Sequence, residues 1–207
     1  MTTLQVGHTG LVDGPRRWDV LASFMTEQGY KTFVEVGCKE GRTTGHILKN
    51  VPDARVIAID PWMQQEASAD KTKETYASWD FDDIERQFWA NVGEENRDTR
   101  CTMFRCTSED AALFDLCDVD AELDLIFIDA LHDYEHVKQD ISLWWPKVRI
   151  GGILAGHDFN HKWPGVERAV AESFDLMHVG VAPDSVWFVI KVSEEQYRGG
   201  LGVQRVA

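Results

Sequence analysis

The segment TFVEVGCKEG, residues 32–41, decides the fold class that this sequence predicts. It opens with a short apolar run, typical of a strand that is buried on both faces. Gly37 and Gly41 then let the backbone turn sharply and pass close to a ligand before a helix begins. A strand, a glycine-containing turn and a helix in this order are the first unit of an α/β fold.

Strands and helices alternate on both sides of this segment. Further strands are predicted over residues 55–59, 101–104, 123–128, 151–155, 176–181 and 186–192. Helices are predicted over residues 18–29, 43–48, 82–92, 134–145 and 166–174, with another beginning near Thr107. The alternation predicts a mostly parallel sheet with helices on both faces. The last two strands are joined so briefly that they must be antiparallel.

The length of 207 residues predicts one domain. We assign residues 18–192 to this domain, residues 1–17 to an N-terminal extension and residues 193–207 to a C-terminal tail. The polar stretch at 62–79 is too long for an ordinary connection, so it is predicted to be a lid or an insertion.

The balance of charges excludes some classes of partner. Lysine and arginine number 21 against 35 acidic residues, for a net charge of -14. This argues against non-specific binding to nucleic acid or to an anionic membrane, and a small-molecule partner is expected instead.

The sequence has neither an apolar run long enough to span a membrane nor the apolar core of a signal peptide, so a cytoplasmic protein is expected. Without a CxxC pair, the cysteines are predicted to be reduced structural thiols: Cys38, Cys101, Cys106 and Cys117.

Asp60 closes the second strand and indicates a nucleoside-bearing cofactor. In a parallel sheet, ligands bind beyond the carboxyl ends of the strands, where an acidic side chain can accept hydrogen bonds from ribose hydroxyls. The turn after the first strand is not GxGxxG, because Lys39 replaces the glycine that a pyrophosphate would approach. This difference counts against NAD. An ordinary tight turn without a ligand is the alternative interpretation.

Asp129 and Asp158 close two strands that the fold makes neighbours. Two carboxylates at the ends of adjacent strands repel each other unless a cation or a shared proton lies between them. Carboxylate oxygens are hard ligands, which suit Mg²⁺. The alternative is that each aspartate caps the helix that follows it. His132 lies on the loop after Asp129, and a histidine of ordinary pKa suits a general base for a hydroxyl, although capping or packing is again the alternative. Asp133 is predicted to cap the next helix.

Four stretches carry a resemblance to a known family: EVGCKEGRTT, VIAIDPW, FIDALHDYEHVKQDISLWWPKVRIGGILAGHDF and PGVERAV. They resemble class I S-adenosylmethionine-dependent methyltransferases. Within that class the chain is similar to the small family that includes the macrocin and mycinamicin sugar O-methyltransferases and their cephalosporin-type relatives. Catechol O-methyltransferase is a more distant likeness. The similarity extends over residues 31–192.

The resemblance implies a Rossmann-like, seven-stranded sheet in the order 3-2-1-4-5-7-6 with strand 7 antiparallel. It implies S-adenosylmethionine as the cofactor and a small hydroxylated acceptor, such as a sugar, a phenol or a natural product. The residues that it places at the cofactor are Glu35, Gly37 and Gly41 at the methionine part, Asp60 at the ribose, Ser108 and Glu109 at the adenine edge, and Asp129. Trp62 either covers the adenine face or is a core tryptophan. Catalysis is assigned to His132 and Asp129.

The sequence departs from the metal-dependent members of that family at His157, which precedes Asp158 where those members carry an acidic pair. The predicted metal ligands are therefore Asp129, Asp158 and His157, with Mn²⁺ considered beside Mg²⁺ because imidazole is a poorer ligand for Mg²⁺. Two other function classes stay open, an NAD-dependent oxidoreductase and a non-catalytic accessory protein that keeps the fold and its cofactor. Association into a homo-oligomer also stays open.

Overall fold

The computed structural model describes residues 14–63, 79–113 and 123–193. Its strands are β1 (Thr32–Val36), β2 (Arg55–Ile59), β3 (Cys101–Phe104), β4 (Leu123–Ile128), β5 (Val148–Gly156), β6 (Gly180–Ala182) and β7 (Val186–Ile190). Its α-helices are α1 (Arg17–Gln28), α2 (Arg42–Asn50), α3 (Phe81–Val92), α4 (Ser108–Leu113), α5 (Tyr134–Trp144) and α6 (Pro164–Ser173).

The strands form one sheet in the order β3-β2-β1-β4-β5-β7-β6, as predicted. All neighbours are parallel except β7, which is antiparallel to both β5 and β6. Val36 pairs with Ile59 of β2 and with Ile128 of β4, so these three strands end at the same level. The residues that follow them therefore meet at one edge of the sheet, on either side of β1, where the strand order reverses.

The core fills both faces of this sheet. Side chains alternate along β4, so that Phe127 belongs to the cluster under α1, α2 and α3. Its neighbour Ile128 belongs to the cluster under α4, α5 and α6. Both side chains are buried, and this two-sided burial is the reason why the strand reads as a continuous apolar run.

Local signals fix the two helix starts that border the carboxyl edge. Asp133 caps α5, as predicted, because its side chain accepts a hydrogen bond from the backbone N–H of His136. Gly41 precedes α2 with φ +70°, a left-handed conformation that glycine adopts without steric cost. A Cβ at this position would lie 2.6 Å from the ring of Phe88 in α3, so packing between helices also requires glycine here.

Three strand predictions differ from the structure, and one of them is the strand predicted over 186–192, which ends at Ile190 as β7. β5 begins at Val148 rather than at residue 151, because Val148 pairs with Leu123 across a register shift. The strand predicted over 176–181 is shorter, since Leu176–His178 form a 3-10 turn in which Asp175 accepts a hydrogen bond from the backbone N–H of Met177. Apolar residues at Leu176 and Met177 suggested a strand, but both side chains are exposed.

Some predictions fall outside the described residues: Cys117, residues 64–78 of the predicted lid, residues 1–13 of the extension and residues 194–207 of the tail. Cys38, Cys101 and Cys106 are free thiols, as predicted. Burial raises the pKa of Cys101 to about 12. Among the helices of the described ranges, none combines the length and the apolar character that crossing a membrane requires.

Candidate functional site

A cavity of about 480 Å³ lies beyond the carboxyl ends of β1, β2 and β4. Ten of the predicted site residues line it: Glu35, Gly37, Asp60, Trp62, Ser108, Glu109, Asp129, His132, His157 and Asp158. Its volume is in the range that holds a small-molecule ligand. Gly41 does not line this cavity, and its contact with a cofactor stays a prediction.

The turn after β1 crosses the loop after β4 at Gly37. Gly37 has φ +86°, and a Cβ there would lie 2.4 Å from the carbonyl oxygen of Asp129. Its backbone N–H donates a hydrogen bond to the carbonyl of Ile59, which ties the turn to β2 as well. The glycine that the sequence suggested for ligand approach is therefore also required by the meeting of two strand ends.

Glu35 is a buried carboxyl group at the end of β1. Its side chain is 2% exposed and accepts a hydrogen bond from the Thr44 hydroxyl on α2. Burial raises the pKa of Glu35 to about 8, and the hydrogen bond from Thr44 only partly opposes this effect. Glu35 is therefore protonated at neutral pH in the free protein, while a bound cation would favour the carboxylate.

Asp60 organises the loop beside the cavity. Its carboxylate accepts hydrogen bonds of 2.8 Å from the backbone N–H groups of Lys39 and Trp62. Trp62 is 2% exposed, packs edge-on against Phe88 and donates its indole N–H to the Lys39 carbonyl. Both interpretations of Trp62 thus describe part of its environment, since the ring is in the core and also lines the cavity.

Ser108 has a hydroxyl group that the protein already uses. It donates a hydrogen bond to Asp140 and accepts one of 2.9 Å from the Trp144 indole. Burial raises the pKa of Asp140 to about 7. Asp140 lines the cavity together with His136 and Gln139, and the sequence interpretation missed all three. Their spacing on α5 places them on one face, a signal that could have revealed them.

Four side chains form a compact cluster at the ends of β4 and β5. His132 Nε2 lies 2.8 Å from Asp158 Oδ2 and 3.9 Å from Asp129 Oδ1. His157 Nδ1 lies 3.4 Å from Asp129 Oδ1 and 3.3 Å from Asp158 Oδ2. The structure therefore brings together the predicted base and all three predicted metal ligands. The ring of Trp163 stacks on His132 at 4.4 Å and limits its orientation.

These contacts couple the charges of the cluster. Burial lowers the pKa of both histidines, but the two aspartates outweigh it and raise the pKa of His132 to about 9 and that of His157 to about 10. Burial raises the pKa of Asp129 and of Asp158, yet hydrogen bonds from the histidines bring both below their usual value. His132 thus carries a proton near neutral pH, unlike a histidine of ordinary pKa.

The donor atoms of this cluster could hold a divalent ion. Asp129, His132 and Asp158 each offer one ligand atom, and these atoms lie within 4.8 Å of one another. A mixed set of carboxylates and imidazoles fits Mn²⁺ or a related transition metal better than Mg²⁺, which prefers oxygen. Among the described residues, the buried Nδ1 atom of His132 and the buried Nε2 atom of His157 have no hydrogen-bond partner, so each ring keeps one nitrogen with unused hydrogen-bonding capacity.

Arg17 is a cavity residue that the sequence did not indicate, because it was assigned to the N-terminal extension. It begins α1, and its backbone N–H donates a 2.9 Å hydrogen bond to Asp184 in the turn between β6 and β7. Its Nε lies 3.1 Å from Asp129 Oδ2, an ion pair whose geometry is not that of a hydrogen bond. Helix α1 thus places the positively charged side chain of Arg17 beside Asp129.

The backbone near the site is strained. Five non-glycine residues in or beside the cavity have left-handed φ values between 41° and 59°: Lys39, Trp62, Asp158, Asp184 and Ser185. Such a conformation costs roughly 1–2 kcal/mol for each residue that has a Cβ. Hydrogen bonds to Asp60 hold the first two in place.

Comparison with known proteins yields one family and many structures of this fold. A family model described as a methyltransferase domain matches residues 34–159. An uncharacterized protein of Acanthamoeba polyphaga mimivirus is 26% identical over 148 residues, which cover 68% of this chain. The chain spans 60% of the length of that relative.

Three solved structures illustrate the likeness of fold. The calicheamicin methyltransferase CalS11 aligns over 84% of this chain and 80% of its own, with a TM-score of 0.64 and 17% identity. The O-methyltransferase NovP aligns over 83% and 76%, with a TM-score of 0.61 and 16% identity. An O-methyltransferase from Bacillus cereus in complex with SAH aligns over 87% and 83%, with a TM-score of 0.56 and 18% identity.

Proposed function

The chain belongs to the methyltransferase domain family, and from this membership we propose that it transfers the methyl group of S-adenosylmethionine to a hydroxyl of a small acceptor. The observation that carries the proposal is the cavity, because it brings Glu35, Asp60 and Asp129 to one ligand-sized space at the reversal of strand order. The SAH complex of the Bacillus cereus enzyme, which has the same fold, supports the choice of cofactor.

Each part of the proposed cofactor meets a distinct part of the cavity. Glu35 binds the ammonium of the methionine part, beside the turn at Gly37. Asp60 accepts hydrogen bonds from the ribose hydroxyls while it keeps the loop in place. The adenine lies against Trp62 and α4, where Glu109 is exposed to the cavity and Ser108 acts through its hydrogen bonds to α5.

Methyl transfer needs an in-line approach of the acceptor oxygen to the methyl carbon. The new C–O bond forms as the C–S bond breaks, the sulfonium becomes the neutral thioether of S-adenosylhomocysteine, and the hydroxyl proton leaves to a base. We assign His132 as this base, since its ring is fixed by Asp158 and Trp163. Because its pKa is about 9, His132 must first release its own proton near neutral pH.

A divalent ion is a further part of the proposal. The ion would be held by Asp129, Asp158 and His157 if His132 is the base. If His132 itself binds the ion, it cannot also act as the base. When bound, the ion would lower the pKa of the acceptor hydroxyl. Mn²⁺ titration of His132→Ala and His157→Ala distinguishes the two arrangements, because only the variant that lacks a ligand loses affinity for the metal.

The test of the proposed function is a calorimetric titration with S-adenosylhomocysteine, with and without Mn²⁺ or Mg²⁺. The wild type is expected to bind, and Asp60→Ala to bind at least about tenfold more weakly, since it loses hydrogen bonds to a charged group. Asp53→Ala is the matched control, because Asp53 is an exposed aspartate paired with Lys31. No binding by the wild type would refute the methyltransferase proposal, and binding without turnover in an acceptor screen would favour the accessory protein.

A further inference from the structure

Arg17 has hydrogen-bonding capacity that its present contacts do not use. Its backbone N–H is held by Asp184 and its Nε faces Asp129, so the position of the guanidinium is fixed. Within the described ranges, neither of its terminal amino groups makes a hydrogen bond, although the side chain lines the cavity. A guanidinium offers parallel N–H donors that match a carboxylate.

Besides Arg17, the cavity wall contains one lysine and one arginine side chain, and both contact other groups. The ammonium of Lys39 lies 4.0 Å from the centre of the Trp79 ring and also 4.0 Å from Glu40 Oε1. The Nε of Arg42 lies 2.9 Å from Glu40 Oε2. The Arg42 side chain is 65% exposed, whereas that of Arg17 is 27% exposed, so Arg17 is the arginine that is better shielded from solvent and can pair more strongly with an anionic ligand group.

The surroundings of Arg17 indicate what kind of anionic group it meets. Glu35 and Asp129 line the same cavity, and Arg17 is close enough to both carboxyl groups to affect them electrostatically. Two carboxyl groups beside one guanidinium complement a zwitterion, since an amino-acid group carries an ammonium and a carboxylate on one carbon. The ammonium pairs with Glu35, and the carboxylate pairs with the guanidinium.

We propose that Arg17 binds the carboxylate of the methionine part of the cofactor, an inference that rests on the proposed function. Helix α1 thereby contributes to cofactor binding, although it precedes β1 and lies before the segment that the family model matches. Asp184 is a positioning residue in this arrangement, because it fixes the backbone from which Arg17 extends.

The experiment is a thermodynamic cycle between one side chain and one ligand group. Dissociation constants are measured by calorimetry for S-adenosylhomocysteine and for its decarboxylated analogue, which keeps the ammonium, the sulfur and the nucleoside. The proteins are the wild type, Arg17→Met, Arg17→Lys and the control Arg42→Met. Thermal unfolding of each variant shows that it is folded before binding is compared.

The wild type and Arg42→Met are expected to prefer the carboxylated ligand about 10- to 100-fold, the range for a hydrogen bond between charged groups. Arg17→Met should bind the two ligands within about twofold of each other, and Arg17→Lys should show an intermediate preference, because it keeps the charge but not the fork. An undiminished preference in Arg17→Met overturns the inference.

Other outcomes separate this inference from its premise. If Arg17→Met weakens both ligands equally, its role is structural and the inference fails. If it leaves both affinities unchanged and raises only the KM of an acceptor, Arg17 recognises the acceptor and the inference fails. If the wild type binds neither ligand, the proposed function fails first and the inference fails with it.

Discussion

Replacing Glu35 with glutamine removes a carboxyl group whose pKa burial raises to about 8. The proposed cofactor brings an ammonium to this group, and only the carboxylate pairs with it strongly. Cofactor binding must therefore remove the Glu35 proton whenever the pH is below about 8. The wild type should bind S-adenosylhomocysteine more tightly as the pH rises, while Glu35→Gln should not.

The magnitude follows from the pKa alone. With a pKa of about 8, the apparent dissociation constant exceeds its limiting value by roughly 100-fold at pH 6 and twofold at pH 8. Affinity should thus increase about 50-fold over this interval, with about 0.9 proton released for each ligand bound at pH 7. His132 and His157 hold their protons throughout this interval, because their pKa values are about 9 and 10.

The assay is calorimetry at pH 6, 7 and 8 in buffers of different ionisation enthalpy, which reports the number of protons released. Asp140→Asn is the necessary control, because Asp140 is the other cavity carboxyl group whose pKa lies near neutrality, at about 7. We expect this variant to retain most of the pH dependence. A wild type whose affinity is independent of pH, or a Glu35→Gln that keeps the 50-fold change, would refute the assignment of Glu35 to the ammonium.

Three further predictions concern stability and turnover. The unfolded chain releases the Glu35 proton near pH 4.5, while the folded protein keeps it to about pH 8. The free energy of unfolding of the wild type should therefore fall relative to that of Glu35→Gln by about 1.4 kcal/mol per pH unit from pH 5 to 7. Urea titrations measure this difference. If both proteins show the same dependence of stability on pH, Glu35 is not a buried protonated acid. Gly37→Ala should lose roughly 2–4 kcal/mol of stability, because it places a Cβ at φ +86° against Asp129, whereas Gly14→Ala, with nothing within 4 Å, should change stability by less than about 0.5 kcal/mol. Trp163→Leu removes the ring stacked on His132 and should lower kcat about tenfold without changing the affinity for S-adenosylhomocysteine; a weaker cofactor affinity with an unchanged kcat would contradict this role.

The sequence predicts the sheet well because its central strands are buried on both faces. Strands β1 to β4 have the bounds that the sequence predicts, because apolar runs between turn signals are compatible with few other structures. The predicted ranges are 32–36, 55–59, 101–104 and 123–128. The errors lie at the start of β5 and in the last two strands, β6 and β7. Just before β6, Met177 is apolar but exposed, and its backbone N–H donates a hydrogen bond to the Asp175 side chain, which sets the local structure.

The candidate site is predictable mainly where a residue lies at the end of a strand or just after it. Asp60, Asp129 and Asp158 were found in this way, and the structure brings them to one cavity. Arg17 was missed because it reaches the cavity through a contact with Asp184, far away in the sequence. The pKa of His132 depends on the distances to two aspartates, which no spacing along the chain reveals.

The left-handed residues around the cavity have a consequence for engineering. The substitution Lys39→Gly would remove steric strain of roughly 1–2 kcal/mol. The greater conformational entropy of glycine in the unfolded chain would offset part of this gain in stability. The same substitution would loosen the loop that Asp60 organises through the Lys39 backbone. Thermostabilisation by this route would therefore act on the residues that give the cavity its shape. A selection for thermal stability alone would favour variants that unfold at a higher temperature but bind the proposed cofactor more weakly. Such a selection should therefore be run with S-adenosylhomocysteine present.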